Sequence, residues 1–134
     1  MTQASIRASV IGAVNAAYVA AYPLIPIVFD NAAFDRNSPP PLWVEFEIKF
    51  AGGDQVGMSL IPRSRIHGFV YVSVWAREGT GSKTSLQMLD WFAGQVGYAT
   101  VGGVFLQAPE PVGGKGPPGW YLEQIKFYFY TAPA

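Results

Sequence analysis

Near the start of the chain Ile6, Val10, Ala13, Val14, Ala17 and Ala21 recur at three- and four-residue spacing, which gathers side chains on one stripe of a helix. The pattern predicts a helix from about Gln3 to Ala20, ended by Pro23. Leu24 to Asp30 is short and apolar, and because Pro26 cannot donate to a ladder it reads as an edge strand at best. Asn31 to Pro41, closing on Pro39, Pro40 and Pro41, reads as an ordered, extended loop. The period then changes. From Leu42 to Phe50, Leu42, Val44, Phe46, Ile48 and Phe50 alternate with Trp43, Glu45, Glu47 and Lys49, which predicts a strand with one core face and one wet or contact face.

Ala51 to Asp54 reads as a turn and Gln55 to Ile61 as a weaker return strand. Arg65 to Ala76 places Ile66, Val70, Val72 and Val74 on one side and His67, Phe69, Tyr71 and Trp75 on the other, the pattern of a central strand buried on both faces. Gly79 to Ser82 opens a second helix to Val96, with Ser82 as N-cap and Leu86, Leu89, Phe92, Ala93 and Val96 as its apolar stripe. Val101 to Gln107 reads as a strand, Ala108 to Gly119 as a Gly/Pro-rich loop, and Trp120 to Tyr130 as a final strand with apolar residues on both faces. The order predicts an α+β fold, a mainly antiparallel sheet of about four to six strands packed with two helices. At 134 residues it is expected to be one domain spanning the chain, with extended loops near 31–41 and 108–119.

Composition sharpens this picture in one respect. Charged residues make up 13% of the chain, where an average soluble domain has about 25%. Hydrophobic residues make up 50% and aromatics 15%, yet the longest uncharged run, Ala8 to Phe29, is broken by Asn15, Pro23 and Pro26 and makes a poor membrane span. Arg7 followed by an Ala/Val-rich stretch resembles a secretory signal superficially, but Asn15 and the scarcity of Leu and Ile favour an amphipathic helix. A surface that is partly covered in an assembly accounts for the low charge better than a bilayer does. The net charge of +0 argues against a basic nucleic-acid binder, and the absence of cysteine removes disulfides, thiolate metal sites and thiol nucleophiles.

Candidate chemistry is thin. Gly79-Thr80-Gly81-Ser82-Lys83-Thr84 imitates a phosphate-binding loop, but Ser82 and Arg77 stand where that loop needs glycine, so a helix start explains it. His67 is the single histidine, and a triad would need it to meet a carboxylate and Ser64 or Ser73, which no spacing predicts. No cofactor or metal site is expected. Glu45 and Glu47 lie about 7 Å apart on one strand face, where Arg63 and Arg65 could supply the opposite charge from a neighbouring subunit. Trp43, Glu45, Glu47, Lys49, Arg63, Arg65 and Tyr128 are the candidate subunit-contact residues.

From Ile6 to Phe129 the chain resembles the phage tail terminator-like proteins, a tail-completion or neck family. The likeness is carried by the N-terminal helix, by Tyr22-Pro23-Leu24-Ile25-Pro26-Ile27-Val28-Phe29-Asp30-Asn31 running to Pro41-Leu42-Trp43-Val44, and by Gly68 to Trp75 leading to Gly79-Thr80-Gly81. The Leu86, Leu89, Phe92 helix and the aromatic last strand complete it. The resemblance implies a non-enzymatic virion protein that assembles in the host cytoplasm. It would form a ring with itself, a hexamer in expectation, on the head-proximal end of the tail tube. That ring would meet the tail tube protein and a head-completion or connector protein, and DNA would only pass through its lumen. Glu45, Glu47 and Glu123 are then candidates for a repelling lumen wall. Another ring-forming head–tail joining protein is the neighbouring alternative, and a small-ligand binding module walled by the aromatic strands is the distant one.

Overall fold

The computed structural model describes residues 2–29, 40–56, 63–79, 83–112 and 116–131. Helix α1 (Gln3–Ala21) starts on a reciprocal cap, in which the Thr2 hydroxyl accepts from the Ser5 amide at 3.1 Å and the Ser5 hydroxyl accepts from the Thr2 amide at 3.0 Å. Its buried stripe is Ile6, Val10, Val14 and Tyr18, and its last turn closes with the Tyr22 amide on the Tyr18 carbonyl at 2.7 Å just before Pro23. By length and composition α1 is also apolar enough to cross a membrane, but this stripe is part of the core. Helix α2 (Lys83–Val96) buries Met88, Leu89, Phe92 and Val96 and leaves Leu86 exposed. Ser82, the expected cap of α2, lies outside the described residues.

The strands β1 (Ile27–Phe29), β2 (Leu42–Val56), β3 (Arg63–Arg77), β4 (Thr100–Val101), β5 (Val104–Val112) and β6 (Trp120–Thr131) form one six-stranded sheet in the order β1-β2-β3-β6-β5-β4. Among the described residues only the β1–β2 pair is parallel, so the sheet is mixed but mostly antiparallel; it curls into a half-barrel in an α+β arrangement. Val44, Phe46 and Ile48 of β2, Val70, Val72 and Val74 of β3, Val104 and Leu106 of β5, and Ile125, Phe127 and Phe129 of β6 meet both helices in a single core. Burying such a face supplies most of the drive to fold, at about 25 cal/mol per Å² of apolar surface.

Three expectations at the strand ends are corrected, the first being Val101 to Gln107, which is not one strand but turns at Gly102-Gly103 and is divided between β4 and β5. Ala51 to Asp54 is not a turn: β2 runs through it to Val56, with Ala51 as the extra residue of a bulge between Phe50 and Gly52, beyond which Gly52 and Gly53 pair with His67 and Ile66. Gln55 and Val56 therefore continue β2 instead of opening a return strand, while 57–61 lie outside the described residues, as does most of the Asn31–Pro41 loop. Ala108 to Val112, expected as loop, is the second half of β5 beyond a bulge between Leu106 and Pro109. Proline fits there because β5 is bordered by only two residues of β4. Pro109 and Pro111 carry no amide proton, so this stretch of edge strand offers fewer donors to an added strand.

Gly68 marks a close approach of β3 to β2. A Cβ there would collide with the Lys49 carbonyl oxygen and sit 3.0 Å from the Phe129 ring. It lies opposite Phe50, beside the bulge, so β2 and β3 are drawn together where the register shifts.

Candidate contact face of the sheet

Both helices lie on one face of the sheet, and the strand alternation sends the remaining side chains to the other, here called the outer face. The register arranges them in rows across the strands. Trp43, Trp75 and Leu122 form one row, and Glu45, Ser73 and Gln124 the next. Glu47, Tyr71, Lys126 and Glu110 follow, then Lys49, Phe69 and Tyr128, then Gly52, His67, Tyr130 and Phe105. Cross-strand neighbours in such rows are within side-chain reach, so each row is a packing unit.

The rows differ in character. Trp43 and Trp75 stack flat, with ring centroids 5.3 Å apart and planes 3° from parallel, and Trp120 meets Trp75 edge-on at 6.5 Å. The Gln124 amide donates to the Ser73 hydroxyl at 2.8 Å. Lys126 Nζ lies 3.6 Å from Glu110 and 5.2 Å from the centre of the Phe69 ring, while Lys49 Nζ lies 3.8 Å from Glu47 and 5.7 Å from that of Tyr71. Tyr128 meets Phe69 edge-on at 5.6 Å, and the Arg65 guanidinium sits 5.3 Å from the Tyr130 ring centre. Aromatic rings therefore separate charges of alternating sign over the middle of the face.

The structure sorts the seven expected contact residues. Glu45, Glu47, Lys49, Arg65 and Tyr128 do share the outer face, and all are half-buried except Lys49, which is exposed. Trp43 also points there, but at 3% exposure it is packed inside the single chain, and its stack on Trp75 assigns it to the protein's own packing instead of a free contact. Arg63 pairs with Val56 in the ladder, and its side chain lies outside the described residues. Of the three expected lumen acids, Glu45 and Glu47 stand together, whereas Glu123 is opposite Val74, so its side belongs to the helix-bearing face. There it accepts a 2.6 Å hydrogen bond from the Tyr121 hydroxyl. That bond, with the carboxylate charge, raises the Tyr121 pKa above its ordinary 10.0.

His67 and Ser73 are on the same face six residues apart, about 20 Å along the strand, so the histidine does not reach that hydroxyl. The side chain of Ser64 lies outside the described residues. Among the described residues no group of three His, Asp or Glu side chains is placed to hold a metal ion. Two hollows are lined by described residues. One, of about 160 Å³, is an apolar cleft between the helices and the β4–β5 end of the sheet, lined by Ala13, Ala17, Trp91, Gln95 and Leu106 among others. The other, of about 430 Å³, is open and lies on the outer face among Phe69, Gln107, Ala108, Glu110, Lys126 and Tyr128.

Glu110 and Lys126 were the missed pair. The signal for them was faint, because Glu110 sits between two prolines in a segment read as loop, and only the β5 bulge sets it opposite Lys126.

No family model matches the chain, and no curated protein matches it in sequence. A solved structure of a protein whose name describes no function is similar at a TM-score of 0.74 and 17% identity, over 98% of this chain and 96% of that one. At that identity the likeness shows a shared fold across nearly the whole of both chains.

Proposed function

We propose that this chain is a structural, ring-forming subunit of the phage tail terminator type, which caps the head-proximal end of a tail tube and offers a surface to a head-completion protein. The observation that carries the reading is the outer face. A four-strand surface opposite both helices bears half-buried Phe69, Tyr71, Trp75 and Tyr128 with interleaved Glu and Lys. Aromatic residues among compensated charges suit a protein contact, and a ring subunit has neighbours on several sides. The same assembly accounts for the low charged fraction of 13%. A lumen wall of Glu45, Glu47 and Glu123 together would have to use both faces of the sheet, so in this reading Glu45 and Glu47 are contact-face residues and the three-residue wall is dropped.

The test is electron microscopy of the protein mixed with purified tail tubes of its own phage. The expected result is added density at one end of each tube and arrested growth. Tubes that lengthen unchanged, with no terminal density, overturn the terminator role and leave another neck position or a ligand-binding module to be tested by ligand-induced thermal stabilisation.

A further inference from the structure

We infer that in the free protein the outer face is covered by a second copy of the chain, paired face to face about a two-fold axis that runs along β3. The argument is charge complementarity fixed by the register. Glu47 on β2 and Lys126 on β6 flank Tyr71 of β3 in the same row, one strand to either side. Rotation by 180° about an axis along β3 exchanges the two flanks and keeps every row at its own height. Glu47 of each copy then faces Lys126 of the other, twice in the dimer.

The adjoining charges extend the match. Glu110 already lies 3.6 Å from Lys126, and Lys49 lies 3.8 Å from Glu47. Across the contact they make the series Glu110, Lys126, Glu47, Lys49, which is neutral in total and alternates in sign at each step. The other rows agree with it: Lys49 is brought over the ring of Tyr128, and Glu45 over the Gln124 amide. Packed sheets cross at about 30°, and a group one strand, about 4.8 Å, from the axis shifts by only about 2.4 Å under that rotation, within the reach of Glu and Lys. The overlap is that of a contact able to open: about this axis β2, β3 and β6 lie over their own counterparts, about 33 Å along the strands from His67 to Arg77 by about 14 Å across them, a footprint of about 480 Å² against the ~800 Å² per partner of a standard interface.

The inference rests on reading this face as a contact face, and it adds a regulation. A two-fold contact closes at two copies, so it cannot propagate a ring and must open before the face takes a ring neighbour. The free dimer therefore holds the subunit back until a tube end competes for the same surface.

Sedimentation of the full chain at low to high micromolar concentration tests this, with circular dichroism to follow folding. Wild type should sediment at twice the chain mass. Glu47→Lys or Lys126→Glu alone sets like charges against each other twice and should weaken the dimer ~100-fold or more. The double variant, and an equimolar mixture of the two single variants, should both dimerise again. As a second measurement, Tyr71→Cys introduces the sole cysteine of the chain on the axis, and a short bismaleimide should join it to its counterpart. Leu86→Cys, exposed on α2 across the molecule, should stay unlinked. A wild type that is monomeric throughout, single variants that still dimerise, or linkage at Leu86→Cys but not at Tyr71→Cys overturns the inference. A terminal ring on tubes formed from a monomeric wild type retires the dimer and keeps the ring reading. A charge-swappable dimer that never caps a tube does the reverse.

Discussion

Replacing Gly68 by alanine is expected to destabilise the protein, although the same change elsewhere in the chain should stabilise it. At Gly68 the new methyl would collide with the Lys49 carbonyl and lie 3.0 Å from Phe129 Cε1 and Cζ. Neither neighbour can give way easily. The carbonyl belongs to the β2 backbone beside the bulge, and Phe129 is fully buried in the core and edge-on to Phe50 at 5.8 Å. Overpacking of this kind costs about 1–3 kcal/mol, and the reduced entropy of the unfolded chain returns about 0.4–1 kcal/mol. The net loss is about 1–2 kcal/mol. Gly12 in α1 and Gly94 in α2 are exposed helical glycines with nothing within 4 Å of an added Cβ. Alanine at either should add about 0.5–1 kcal/mol. Urea unfolding at constant slope reads all three: with a slope near 1.5 kcal/mol/M the Gly68→Ala midpoint falls by about 1 M, and the other two rise by about 0.5 M. A Gly68→Ala variant as stable as wild type would refute the close approach of β2 and β3.

Two further predictions follow from buried aromatics. Trp43→Ala should cost about 3–5 kcal/mol, because it empties a 3%-exposed site stacked on Trp75; differential scanning calorimetry measures it, and a loss under 1 kcal/mol would return Trp43 to the free surface. Tyr18→Phe should be neutral or stabilising by about 1 kcal/mol at pH 7, since its buried hydroxyl has no hydrogen-bond partner among the described residues. Burial, with Tyr22 second, holds the folded Tyr18 phenol above its usual 10.0. The unfolded tyrosine ionises first, so wild-type stability should fall as pH rises above 10, and this slope should shrink in Tyr18→Phe. Unfolding midpoints at pH 7, 10 and 11 check both claims, and a variant clearly less stable at all three sinks them.

Alternation made β2, β3 and β6 legible as strands, and the period of Ile6, Val10 and Val14 did the same for α1. What stayed hidden needed pairing information. Trp43 and Tyr128 look alike as aromatic residues on outward strand positions, yet Trp43 is buried because the register sets it against Trp75, 32 residues away. Gly52-Gly53-Asp54 carries the composition of a turn, and Pro109-Glu110-Pro111 that of a loop. Both are strands: the first pairs with β3 beyond the bulge at Ala51, and an edge position tolerates the second. A bulge is a property of two strands at once, and so neither shift could be read from one segment.

The ion pairs of the outer face add a physical constraint on what covers it. Lys49 and Glu110 have side chains 66% and 63% exposed, their partners Glu47 and Lys126 are 33% exposed, and the separations are 3.8 and 3.6 Å. Pairs this open contribute at most about 1 kcal/mol in water. An apolar partner laid over them would strip that water and supply no charge in return, which leaves ions buried at a cost of several kcal/mol. A partner that brings an acid to Lys126 and a base to Glu47 avoids that cost, and the chain itself carries both groups, one strand to either side of Tyr71. The alternating charges therefore favour a partner of the same sequence over a purely hydrophobic one, whichever symmetry the contact obeys.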